Sequence, residues 1–208
     1  MPRERVCREA ALIVETARTH ADSYAVGLNP LRVKGIGLEP EDYRDYRPGD
    51  DFRLIDWRLS GRAIGSDGRT KLVVRERRAE RSVEVVLALD ASPSMDFGEK
   101  LAAGLYALSF SASLAAWLGD RATLVVAGPD PPLVVRLPPS EAGAAAVREV
   151  CEARPAGRVD LRDLARLAVA IVPRRASLLV VTDLAHPPEE FGEMASALRA
   201  VGWGVGVV

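Results

Sequence analysis

The chain has 208 residues, 48% of them hydrophobic, and a formal net charge of −1. That length suits one large domain, or one domain with a smaller attachment, and the apolar content suffices for a substantial core. The balanced charge argues against a dedicated nucleic-acid binder. The two histidines, His20 and His186, are too few for a histidine-based zinc site, and His186, beside Pro187 and Pro188, reads as a loop residue. Cys7 and Cys151 are the only cysteines, far apart and in no metal-ligand spacing. No disulfide framework is expected from them, and a reducing cytoplasm is the default setting.

Residues 1–10 are charged throughout with no apolar run behind them, unlike a signal peptide. Residues 4–22 carry apolar positions at Val6, Ala10, Ile13, Val14 and Ala17, the spacing of a helix. Gly27, Pro30, Gly35, Gly37 and Pro40 then break the pattern, leaving short extended pieces such as Leu31 to Lys34. A block dense in charge and aromatics follows from Tyr43 to Trp57, with Pro48-Gly49 as a turn. Gly65 to Gly68 reads as a second turn, and Thr70 to Arg77 as a strand with alternating charge. Arg69, Lys71, Arg75, Arg77, Arg78 and Arg81 form a local basic run, interrupted by Glu76 and Glu80, that reads as a solvated edge. The organisation is therefore an N-terminal helix over 1–26, a distinct block over 27–82, and a larger domain over 83–208.

From Val83 onward, strands at 83–89, 121–127, 132–136, 177–182 and 203–208 alternate with helices at 97–118, 140–153, 160–171 and 188–200. This alternation predicts an α/β fold with a doubly wound, mostly parallel sheet. Gly128 to Pro131 makes a tight turn, so the 132–136 strand should run antiparallel at the edge. Leu101 to Gly119 is uncharged and long enough to cross a bilayer, but its serines, alanines and place between two strands read as a core helix rather than a membrane span. The chain stops at Val207-Val208 within a strand pattern, which reads as a fragment.

The most informative stretch is Val83 to Met95, where a buried strand ends in Asp90-x-Ser92-x-Ser94. A carboxylate with two hydroxyls is a hard-oxygen set that suits Mg²⁺ or Mn²⁺ better than zinc. The competing reading is an ordinary strand-to-helix turn, with Asp96 capping the helix and Glu99 as its capping-box partner. A second buried strand, Ser177 to Thr182, ends at Asp183. If the two strands flank the point where strand order reverses, Asp90, Ser92, Ser94 and Asp183 converge on the crevice where such sheets bind ligands.

These motifs resemble the von Willebrand factor type A fold with its metal-ion-dependent adhesion site. The upstream Tyr46-Arg47-Pro48-Gly49-Asp50-Asp51-x-Arg53-x-Ile55-Asp56-Trp57-Arg58, followed by Val73-Val74-Arg75-Glu76, is similar to domain-of-unknown-function family 58. The resemblance implies Ser92 and Ser94 as direct metal ligands, with Asp90 and Asp183 acting through water. It also implies a threonine where this chain has Val159, which offers no oxygen; the adjacent Asp160 reads as a helix cap. The partner it implies is a MoxR-class AAA+ ATPase, which would supply the energy because the chain has no Walker-type phosphate loop.

The leading expectation is a non-enzymatic interaction module with a degenerate metal site, in which Asp90→Ala abolishes partner binding and leaves the fold intact. In the block, Asp50, Asp51 and Asp56 with Arg47, Arg53 and Arg58 suggest a salt-bridged structural latch. Its functional alternative is a partner-binding surface anchored by Tyr43, Tyr46 and Trp57. Two further readings stand beside the module. One is a metal-free scaffold, favoured by Val159. The other is a metal-dependent hydrolase using Asp90, Asp183 and one of Asp50, Asp51 or Asp56, weakened by the lack of a histidine base.

Overall fold

A computed structural model of the chain describes residues 3–28, 42–63, 71–76, 83–172 and 176–208. The extended piece at Leu31 to Lys34, the turn at Gly65 to Gly68 and most of the basic run lie outside those residues. The chain divides into two units, Met1–Pro30 with Ser82–Val208, and Leu31–Arg81.

The larger unit is built on a five-stranded sheet. Its strands are β3 (Glu84–Asp90), β4 (Arg121–Ala127), β5 (Leu133–Arg136), β6 (Ala176–Val181) and β7 (Gly204–Val207), in the order β5-β4-β3-β6-β7. Strands β3, β4, β6 and β7 pair in parallel, and β5 returns antiparallel at the edge. Buried on both faces, the central strands read as continuous apolar runs, which is why sequence finds them easily. Leu87 and Leu89 of β3, with Leu124 and Val126 of β4, join one core cluster; Val86, Ala88 and Val125 join the other. Helices cover both faces, as a doubly wound sheet requires.

On the first face lie α1 (Arg3–Arg8), α2 (Ala10–Leu28), α4 (Lys100–Leu118) and α5 (Ala142–Glu152); on the second lie α6 (Leu161–Ile171) and α7 (Pro188–Ala200). Helix α4 is the only one among the described residues long and apolar enough to cross a membrane. It packs instead as a core helix, with Leu101, Leu105, Leu108, Ala112 and Ala115 buried against the sheet and its neighbours.

The N-terminal segment forms two helices rather than one over 4–22, and it packs within the larger unit. Ala17, Ala21 and Ala25 are fully buried at intervals of four, so α2 keeps its contact face against α4 beyond residue 22. Cys7 and Cys151 form a disulfide, joining α1 to the end of α5. This corrects the expectation drawn from their separation in sequence: the fold brings Cys7 of α1 to Cys151 near the end of α5, with the Cα atoms 5.7 Å apart. Arg3 adds polar ties from the same end. Its guanidinium donates to Asp96 Oδ1 at 3.1 Å, to Ala153 O at 2.8 Å and to Val150 O.

Asp160 caps α6, its side chain accepting the Arg162 and Asp163 amides. The Arg162 side-chain hydrogen bond holds the Asp160 carboxyl well below the usual carboxylate range. Its native pKa lies below its unfolded value, so its contribution is complete above pH about 4 and is lost as the pH falls further. Asp160→Ala is expected to cost about 1 kcal/mol in urea unfolding at neutral pH. The difference from wild type should shrink in acid; a difference independent of pH would contradict the ionic cap.

The smaller unit contains a hairpin-like pair of short strands, β1 (Asp42–Asp45) antiparallel to β2 (Val73–Glu76), and the one-turn helix α3 (Trp57–Ser60). Ser60 is buried, and its hydroxyl accepts the Val73 amide at 2.8 Å.

Candidate functional site

Strand β3 hands the chain to α4 on one face of the sheet, and β6 hands it to α7 on the other. The neighbouring carboxyl ends of β3 and β6 therefore flank a crevice, the topological switch point of the sheet. Asp90, Ser92, Ser94 and Asp183 all stand there, as the sequence predicts.

Asp90 ends β3 and is 1% exposed. Its Oδ1 accepts the Ser92 amide at 2.9 Å, closing a side-chain turn that starts the loop. Its Oδ2 accepts the Thr182 hydroxyl at 3.0 Å and faces His186 Nε2 at 2.8 Å. An ionised carboxylate only accepts, so Nε2 carries the proton of that contact. The His186 side chain is 6% exposed, and its Nδ1 lies 3.4 Å from Glu190 in the first turn of α7. Glu190 is buried in turn and accepts from Arg158 at 2.9 Å.

His186 is thus a member of the site rather than a bystander in a loop. Its partner Asp90 lies 96 residues away, and only its spacing of four from Glu190 hinted at a network. Leu184 explains how the short loop reaches back. It adopts φ 59°, a conformation rare for a leucine, and reverses the chain between Asp183 and His186.

After Asp90 the chain forms a tight 3-10 turn over Pro93–Asp96, and α4 begins only at Lys100. The expected cap and capping box are absent: Asp96 pairs with Arg3, and Glu99 makes no side-chain cap. The turn brings Ser92 Oγ and Ser94 Oγ to 3.0 Å. Asp183 is held from several sides. Lys100 Nζ lies 2.7 Å from its Oδ2, and the Ala185 amide donates to its Oδ1 at 3.1 Å. Burial pushes the Asp183 carboxyl up, but opposing effects, led by the Lys100 and Ala185 hydrogen bonds, outweigh it and hold it below the usual range.

Whether a divalent cation suits this arrangement depends on which oxygens remain available. Both Asp90 oxygens are taken by protein donors, and so are both oxygens of Asp183. Val159 is buried in an apolar cluster and offers no oxygen. Two neutral hydroxyls remain, whereas Mg²⁺ is ordinarily held by one or two carboxylates. The described residues contain no group of three or more histidine, cysteine, aspartate or glutamate side chains able to hold a metal. As arranged, the residues do not fit the ion.

In the smaller unit the motif aspartates act as local caps. Asp50 accepts the Arg47 amide at 2.8 Å, Asp51 caps the turn Phe52–Leu54, and Asp56 caps α3 through the Arg58 and Leu59 amides. The Tyr46 amide donates to Leu72 O, and Trp57 and Phe52 are exposed.

Comparison with known proteins adds three findings. An uncharacterised protein of Mycobacterium bovis and one of Mycobacterium tuberculosis are each 41% identical over 66 residues, 32% of this chain. That stretch is 19% of each relative's length, so the match spans about a fifth of them. Among solved structures, the SpRpn10 VWA domain is similar with a TM-score of 0.43 and 13% identity, covering 61% of this chain and 74% of that one. The family model for the protein of unknown function DUF58 matches residues 42–208, well over half of the chain, and the chain belongs to that family.

Proposed function

We propose that the chain is a non-catalytic protein-interaction module that receives its partner at the crevice between β3 and β6. The observation that carries this reading is the rim. Phe97, in the loop from β3, is 71% exposed, and Leu184, in the loop from β6, is 60% exposed. The two loops are braced across the crevice, where Lys100 at the start of α4 pairs with Asp183 after β6. Two apolar side chains displayed on braced loops beside a polar floor make an anchor-and-rim arrangement of the kind partners use.

The hydrolase alternative draws less support. Both ring nitrogens of His186 face carboxylates, so neither is placed to take a proton from Ser92 or Ser94. The family resemblance noted above makes a MoxR-class AAA+ ATPase the partner to try first. The test is titration of that ATPase with wild-type protein and with Phe97→Asp/Leu184→Asp. Aspartate tolerates the positive φ at residue 184 better than leucine does, so the variant should keep its fold. Binding is expected to weaken about thirtyfold or more, the loss of a strong anchor. Equal affinity for both proteins would refute the rim as the docking surface.

A further inference from the structure

We infer that Lys100 is the resident cation of the crevice, standing where a divalent metal would otherwise balance Asp183, so that the site is assembled without metal. The Asp183 side chain is only 2% exposed, and a carboxylate withdrawn from water to that degree needs a counter-charge. Lys100 Nζ supplies it at 2.7 Å.

The position of Lys100 argues that this pairing is what holds its ammonium there. It is the first residue of α4, and the positive end of a helix disfavours a cation. An ammonium held at that end is compensated by the carboxylate it faces. Its side chain is still 46% exposed, consistent with a flexible stem that reaches over the crevice mouth to the buried acid.

The other half of the floor needs no metal either. Asp90 spends its oxygens on Ser92, Thr182 and His186, and the buried Val159 adds none. An entering ion would have to displace Lys100 from Asp183 to gain a charged ligand. The inference concerns how the crevice is assembled and does not depend on the partner's identity.

The experiment is Mn²⁺ binding followed by electron paramagnetic resonance, together with thermal melting in Mg²⁺ or in EDTA. It uses the full chain as wild type, Lys100→Met and Lys100→Arg. Wild type and Lys100→Arg are expected to bind no stoichiometric Mn²⁺ and to melt at the same temperature in Mg²⁺ and EDTA. Lys100→Met leaves Asp183 without its counter-charge. It should melt lower in EDTA, acquire one Mn²⁺ site, and recover several degrees on adding Mg²⁺. One-to-one Mn²⁺ binding by wild type, lost in Ser92→Ala/Ser94→Ala, would overturn the inference outright. A Lys100→Met protein as indifferent to metal as wild type would overturn the assignment of Lys100.

Discussion

Asp90→Ala should destabilise the protein by about 3–5 kcal/mol, the range for breaking a buried charged contact by removing one partner. The substitution strips acceptors from the Ser92 amide, the Thr182 hydroxyl and His186 Nε2 in one step. It leaves His186 enclosed beside Glu190 without its other carboxylate. Sequence reasoning expects the opposite, that Asp90→Ala spares the fold, because it treats Asp90 as a ligand awaiting a metal. Its burial and its protein donors make it a fastening between β3 and the loop after β6. Urea unfolding of Asp90→Ala against wild type measures the effect directly. Asp90→Asn should lose less, since its one carbonyl oxygen still accepts while the negative charge is gone. A midpoint unchanged in Asp90→Ala would show that the network contributes nothing to folding. The consequence for binding studies is practical: loss of binding in Asp90→Ala cannot be assigned to the interface, and the rim residues are the better probes.

Reduction of the Cys7–Cys151 bridge is the second large effect. It closes a loop of 144 residues, and removing a native bridge of that kind costs about 2–5 kcal/mol. For a domain of this size that corresponds to a fall of about 5–15 °C in the melting midpoint. The measurement is a thermal melt with and without dithiothreitol, with Cys7→Ser/Cys151→Ser as the control. The reduced wild type and the double variant should melt together, both below the oxidised protein. Identical melts for oxidised and reduced protein would show that α1 and α5 stay docked by packing and Arg3 alone. The bridge also removes the ground for a reducing-cytoplasm default, which rested on the two cysteines being far apart in sequence.

What sequence disclosed was what short-range pattern encodes. Strands β3, β4 and β6 announce themselves because both their faces are buried, and β5 because a proline-rich turn precedes it. The neighbouring acid-ended strands then locate the crevice, since strand ends in a doubly wound sheet meet at the switch point. The rest depended on residues distant along the chain. Lys100 looks like an ordinary helix lysine until Asp183, 83 residues on, is beside it. Residues 97–99, which periodicity assigned to the start of the helix, instead precede α4, with Gly98 at φ 65° among them. The cysteines lay in segments read as separate domains, so nothing local suggested their pairing.

The bridge also shapes the order of events during synthesis. Cys7 is made before Cys151, which follows 144 residues later. At ordinary elongation rates the thiol waits roughly 7–30 s before Cys151 exists. Throughout that interval a nascent chain carries one unpaired thiol on a helix whose docking surface is still unfinished. Within residues 1–208 the two cysteines have a single internal product, so a wrong pairing of Cys7 or Cys151 with another copy joins two chains. In an oxidising environment, crowded expression therefore favours covalent dimers through Cys7, and slower initiation favours the correctly closed monomer.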